Sequence, residues 1–276
     1  MRWEGAPAPA ARALTGRERA RVALIGPALA AVMLGGLALL LALRLVERPL
    51  FGARRPWTPW ITQGVCIASC ALLGVRLRVT GRPMAGPGAQ VANHAGWMDI
   101  LVLNACARPT FVSKAEVAGW PGIGWLARAT GTLFIDRRRG EARAQRAAIE
   151  ARLAAGERLL LFPEGTSSDG RRVLPFRTAL FEAFLARGLA VQPVTLAYRA
   201  PPGEDAAFFG WWGEMELAPS LSRVIARGRG GVAEVIYHAP LAASGAGGRK
   251  ALAGAAERAV REGLEARLGA LSAAGR

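Results

Sequence analysis

The chain has 276 residues, 52% of them apolar, and a formal net charge of +16. A mean hydropathy of +0.22 excludes a disordered protein, and the length suffices for one sizeable α/β domain with an appendage. The charge is almost wholly arginine, since Lys114 and Lys250 are the only lysines, and it suits anionic lipid or a phosphorylated substrate. Scattered cations, a hydrophobic anchor and the lack of a recognition motif argue against nucleic acid as a partner. Cys66, Cys70 and Cys106 predict neither a disulfide framework nor a zinc site, which fits a reducing compartment.

Residues 1–21 are polar and arginine-rich, with Arg12, Arg17, Arg19 and Arg21 expected to meet lipid headgroups. Residues 22–43 follow without a charge, long enough at about 1.5 Å per residue to cross a hydrocarbon core. A second uncharged run, 56–75, contains Pro56, Pro59 and Gln63 and predicts a shorter helix of roughly 15 residues. The two read as an N-terminal membrane-embedded helix pair. A spanning hairpin would leave Arg44, Arg48, Arg54 and Arg55 on the far side, against the tendency of cations to stay cytoplasmic. The pair is therefore expected to dip into one leaflet, with a single span by the first run as the other open arrangement.

Residues 76–90 mix a short strand with a Gly/Pro linker and mark a boundary. Past it, strands are predicted at 90–92, 110–112, 132–135, 158–162, 189–197 and 232–237, with helices at 101–107, 140–155 and 174–187. This alternation predicts an α/β fold, a layered sheet flanked by helices, with sites at strand ends. Near the end, Leu252, Val260, Leu264, Leu268 and Leu271 share one helical stripe. The chain thus divides into a basic arm with membrane helices at 1–76, an α/β domain at 77–240 and a C-terminal amphipathic helix at 241–276.

Four segments carry chemistry. In VANHAGWMDI, His94 and Asp99 are five positions apart, so they meet only if the histidine precedes a helix and the aspartate lies in its first turns. A carboxylate beside a histidine equips the ring to take a proton from a hydroxyl. In GTLFIDRRR, Asp136 and three arginines close a strand where a phosphate could be held. In LLLFPEGTSSD, Pro163, Glu164 and Gly165 make a tight turn with exposed backbone N–H groups. Residues 191–195 form a buried strand interrupted by Pro193, a kink or a ligand-facing bend. Each segment alone has an ordinary reading as turn, core or solvated face. Gly122-Ile123-Gly124-Trp125-Leu126-Ala127 fits a loose dinucleotide pattern, but Trp120-Pro121 precedes it instead of a strand, so a turn and short helix are expected. Phe208, Phe209, Trp211 and Trp212 are either core or lipid-interface rings.

In this order the four segments resemble the glycerolipid acyltransferase family, its lysophosphatidic-acid acyltransferase branch in particular, over roughly residues 77–240. Asn93, His94 and Asp99 match the Asn-His-x4-Asp block. Phe134, Ile135, Asp136 and Arg137 match the second block, residues 162–166 the Phe-Pro-Glu-Gly-Thr block, and residues 191–195 the proline-centred strand. The resemblance implies acyl transfer from a thioester, acyl-CoA or acyl carrier protein, to a lysolipid hydroxyl on the cytoplasmic face of the cell membrane. His94 would be the base and Asp99 its orienter, while Arg137, Glu164, Gly165 and Thr166 would bind the acceptor. Amides near Gly96 or Gly165 would receive the oxyanion. It implies no cofactor beyond the donor substrate, and His94 and His238 have no partners at metal-ligand spacing. Lysophosphatidate is the first acceptor implied. Many phosphatidate-forming members place an arginine after Glu-Gly-Thr, whereas this chain has Ser167 and Ser168, so lyso-ornithine lipid is the rival acceptor. A non-catalytic membrane scaffold and a thioester hydrolase are the remaining readings.

Overall fold

The computed structural model describes residues 3–9, 12–135 and 142–274. Helix α1 (Gly16–Phe51) is 36 residues long, about 54 Å, well beyond the uncharged run that predicted it. Its start is fixed by a reciprocal cap: the Glu18 amide donates to the Thr15 hydroxyl, and the Glu18 carboxylate accepts from the Thr15 amide. Helix α2 (Thr58–Leu73) runs back along α1 and ends at Gly74, whose φ of 76° permits the left-handed cap.

The sheet has seven strands in the order β1-β7-β6-β2-β5-β3-β4. They are β1 (Arg76–Thr80), β2 (Gly88–Ala92), β3 (Thr110–Lys114), β4 (Leu133–Ile135), β5 (Arg158–Leu161), β6 (Val191–Arg199) and β7 (Val232–Tyr237). All pairs are parallel except β6 with β7. Near-continuous apolar residues suit strands covered on both faces. Leu159 and Leu161 point into one core with Phe181, Phe184, Leu252 and Val260, while Leu160 points into the other with Leu73, Met98, Leu103 and Phe208.

Helices α2, α3 (Met98–Cys106) and α7 (Leu217–Arg227) cover the second face, and α5 (Ala142–Ala154), α6 (Glu182–Ala186) and α8 (Arg249–Ala274) the first. The predicted layered α/β sheet is therefore the fold, mixed in strand direction. The stripe Leu252, Val260 and Leu264 is buried against it, so the last helix packs as core. Residues 174–187, predicted as one helix, form a 3-10 turn and the single turn of α6. Residues 123–130 form the short helix α4 (Ile123–Thr130), outside any dinucleotide site.

The N-terminal arm makes contacts that its composition does not announce. Its first residues dock on the α/β domain: Trp3 meets Trp212 edge-on at 5.9 Å, and Trp212 Nε1–H donates to the Ala6 carbonyl at 2.9 Å. The aromatic cluster divides: Phe208, Phe209 and Trp212 are buried, and Trp211 packs beside the site described below.

Candidate active site

Strand β2 lies between β5 and β6 and leaves the sheet at Asn93. The Asn93 amide clasps β6, donating to the Leu196 carbonyl and accepting from the Leu196 amide, both at 2.8 Å. That clamp fixes the exit of the chain, which turns through His94, Ala95 and Gly96 into α3. Gly96 is needed for contact, not for a left-handed turn: a Cβ there would meet Trp211 Cβ at 2.9 Å.

Asp99, in the first turn of α3 and wholly buried, gathers that turn around itself. Its Oδ2 accepts from the amides of Ala95 at 2.7 Å and Gly96 at 3.0 Å, and lies 2.6 Å from His94 Nδ1. Its Oδ1 accepts from the Tyr198 hydroxyl at 2.7 Å. With three other groups feeding hydrogen bonds to the carboxylate, Nδ1 is its donor and the Nε2 lone pair faces outward. The ring is braced on Phe162, stacked at 4.0 Å and 15°. The histidine side chain remains 22% exposed while Asp99 is sealed, so the pair presents only the imidazole. Tyr198 went unnoticed in the sequence because it lies 99 residues from Asp99 and reaches it only through the strand order. Burial, then the Asp99 charge, push its phenol well above the ordinary pKa, so it stays a donor.

Of the residues expected to hold the acceptor, Glu164 faces inward. It is 4% exposed, and its Oε1 accepts from the His94 amide at 3.3 Å, while Oε2 is buried without a hydrogen-bond partner. Burial pushes its carboxyl up to about 9, against the pull of the His94 and Leu174 amides. The structure thus sets Glu164 inward, behind the turn that carries His94. Gly165, at φ 75°, closes the tight turn and donates its N–H to the Phe162 carbonyl at 3.1 Å. The amide of Gly96 is likewise engaged by Asp99, so the amides of these two glycines are themselves already taken. Thr166 is half-buried beside this turn. Ser168 ties the loop to the site, its amide donating to the His94 carbonyl at 2.9 Å. Asp136 and Arg137 lie outside the described residues. Pro193 is buried in the sheet opposite Val91, away from any opening.

A buried carboxylate orienting a half-open imidazole, where parallel strands end, defines a protein that can draw a proton from an alcohol. Residues 76–197 match the family described as Acyltransferase, and these residues include both members of the pair. A lyso-ornithine lipid O-acyltransferase from Rhodobacter capsulatus is 55% identical over 266 residues, covering 95% of this chain and 96% of that protein. A Brucella abortus protein of the same name is 40% identical over 212 residues, covering 71% and 79%. The crystal structure of the 1-acyl-sn-glycerophosphate acyltransferase PlsC from Thermotoga maritima has the same fold, with a TM-score of 0.56 at 20% identity, covering 88% of this chain and 97% of that one. The chain belongs to the acyltransferase family.

Proposed function

We propose that the chain transfers a fatty acyl group from acyl-CoA or acyl carrier protein to the free hydroxyl of a lyso-ornithine lipid. The carrying observation is the 2.6 Å contact between His94 Nδ1 and Asp99, which leaves Nε2 as a base. Nε2 takes the hydroxyl proton as the oxygen attacks the thioester carbonyl. The tetrahedral adduct then expels the thiolate, which takes that proton from the imidazolium. The products are an ester and a free thiol, with no acyl-enzyme needed. Arg137 remains the residue proposed to hold the acceptor headgroup.

Two observations favour lyso-ornithine lipid over lysophosphatidate, the acceptor first implied by the four motifs. The relatives from Rhodobacter and Brucella, which share most of their length with this chain, carry that name. The position after Glu-Gly-Thr is Ser167, whose hydroxyl is tied to the Trp211 carbonyl, so no guanidinium stands there for a phosphate.

Membrane attachment follows from the hairpin. Leu24, Leu34, Leu45, Leu50, Trp60 and Trp125 are all exposed, and α1 is apolar and long enough to cross a bilayer. Yet the α1–α2 elbow touches the α/β domain: Arg55 donates to the Ala129 carbonyl, and Gln63 to the Ala105 carbonyl at 3.1 Å. A spanning hairpin would carry that elbow about 30 Å away, across the hydrocarbon core. These contacts favour a pair resting in the cytoplasmic leaflet, beside the acyl donors.

Purified protein offered lyso-ornithine lipid and lysophosphatidate side by side, with each thioester, tests the proposal. The first acceptor is expected to be esterified faster, with one thiol released per ester. His94→Ala is expected to lose a factor of about 10² to 10⁴. Undiminished turnover in that variant rejects the base, faster lysophosphatidate acylation rejects the acceptor, and thiol release without acceptor marks a hydrolase.

A further inference from the structure

At the end of the sheet opposite His94, a cavity of about 180 Å³ opens between the α1–α2 elbow and the starts of β3 and β5. Arg55 reaches it from the elbow, Arg108 from the turn before β3, and Arg158 from the first residue of β5. Among the described residues none of the three has a carboxylate within ion-pair distance. The one carboxylate lining the cavity, Glu157, is already engaged, by Arg152 at 2.8 Å and by the Thr110 hydroxyl at 2.7 Å.

The protein uses only part of each guanidinium. Arg108 donates to Gln63 Oε1 at 2.6 Å and Arg158 to the Met84 carbonyl at 3.0 Å, while Arg55 donates to the Ala129 carbonyl. A guanidinium has five N–H donors, so most remain for a guest. Burial, with Arg44 and Arg152 nearby, lowers the pKa of Arg55 against the opposing pull of Glu47 and Glu157.

The setting indicates where an anion would come from. Arg108 lies over the exposed Trp60 ring, 3.6 Å from its centroid, and the exposed Phe51 and Trp57 meet edge-on at 5.0 Å on the same elbow. Such rings settle at the depth of lipid headgroups, where phosphates lie. We propose that this cavity is a second lipid site, separate from the acyl-transfer site, which takes the phosphate of a phospholipid of net negative charge. The inference rests on the membrane placement proposed above. Planar guanidinium forks suit phosphate oxygens, and three uncompensated cations favour an anionic headgroup over a zwitterionic one.

The test uses the full chain with vesicles of phosphatidylcholine alone or mixed with phosphatidylglycerol. Wild type is expected to bind the mixed vesicles more tightly. The double variant Arg108→Gln/Arg158→Gln is expected to lose roughly 30-fold of that binding, the order expected for two cations near an anionic surface. The loss should persist at salt concentrations that screen exposed charges, unlike that of a control pair on the exposed elbow, Arg48→Gln/Arg54→Gln. Thr132→Asp places a carboxylate in the cavity and keeps every arginine, so it is expected to weaken binding to the mixed vesicles without lowering the unfolding temperature.

Undiminished preference for phosphatidylglycerol in both cavity variants overturns the site. Stabilisation of wild type by inorganic phosphate as strong as that by the mixed vesicles, and absent in Thr132→Asp, makes free phosphate the ligand and overturns the lipid assignment. Failure of wild type to bind either vesicle removes the membrane placement, and this site with it.

Discussion

Asp99 is held from two sides, and the side facing β6 depends on one hydroxyl, that of Tyr198 at 2.7 Å. Removing it leaves Oδ1 buried with one donor fewer, so the carboxylate accepts more strongly from His94 Nδ1–H and favours the imidazolium. Tyr198→Phe is therefore expected to shift the acid limb of the kcat/KM profile to higher pH. The rate should fall about tenfold, as expected for losing a hydrogen bond to a charged group, while acceptor KM stays unchanged because the phenol is buried. A lower rate with the acid limb unmoved would mean that Tyr198 is only packing. Glu164 gives a separate test. Its folded pKa of about 9 lies above the ordinary 4.5, so the folded state holds a proton that the unfolded chain has lost, and stability falls as pH rises through that window. Glu164→Gln cannot ionise and keeps an acceptor for the His94 amide. The variant is expected to gain thermal stability over wild type at about pH 8 and to show little gain at about pH 5, which thermal unfolding at the two values would measure. A gain equal at both values would show that the carboxyl is ionised in place.

At the scale of elements, the sequence was readable where one segment holds its own logic. His94 and Asp99 meet because a turn and the first turn of α3 lie within six consecutive residues, and strands β2, β5, β6 and β7 follow their apolar runs. Reading failed where a distant partner changes what a residue means. Arginines 17–21 and 44–48 looked like the ends of an apolar run, yet α1 continues through both because their neighbours supply acceptors. Arg21 donates to the Leu72, Leu73 and Ile225 carbonyls, capping α2 and α7, and Arg44 donates to Glu47, Gly52 and Arg54. Glu47, inside a stretch that reads as a loop, is buried and caps α2 by accepting from the amides of Trp57 at 2.7 Å and Thr58 at 3.1 Å. Helix α7 has no counterpart among the predicted helices; its Pro219 sits in the first turn, where a missing N–H forfeits no intrahelical bond. Glu164 was expected to bind the acceptor; only the position of His94 across two strands shows that its side chain faces inward.

For the whole molecule, the proposed function turns on how the helix pair meets lipid, because an acceptor held in a leaflet would have to bring its hydroxyl to His94. The exposed apolar residues run from Leu24 through Leu45 and Leu50 to Trp60, then continue on α4 at Ile123 and Trp125. Exposed apolar residues on both the hairpin and the α/β domain suit a protein lying against a single leaflet. Arg54, exposed on the elbow between α1 and α2, tells the arrangements apart. The native thiols interfere little: Cys66 and Cys70 are buried, and burial pushes Cys106 up to about 11, which keeps it a slow nucleophile. An Arg54→Cys chain in sealed vesicles of known orientation is therefore expected to react with a membrane-impermeant thiol reagent only from the side that carries the α/β domain. Arg187, exposed on that domain, gives the reference as Arg187→Cys, which must label from the same side. If the two positions label from opposite sides, the hairpin crosses the bilayer, the elbow contacts of Arg55 and Gln63 cannot persist in the membrane, and the acceptor must reach His94 by another route.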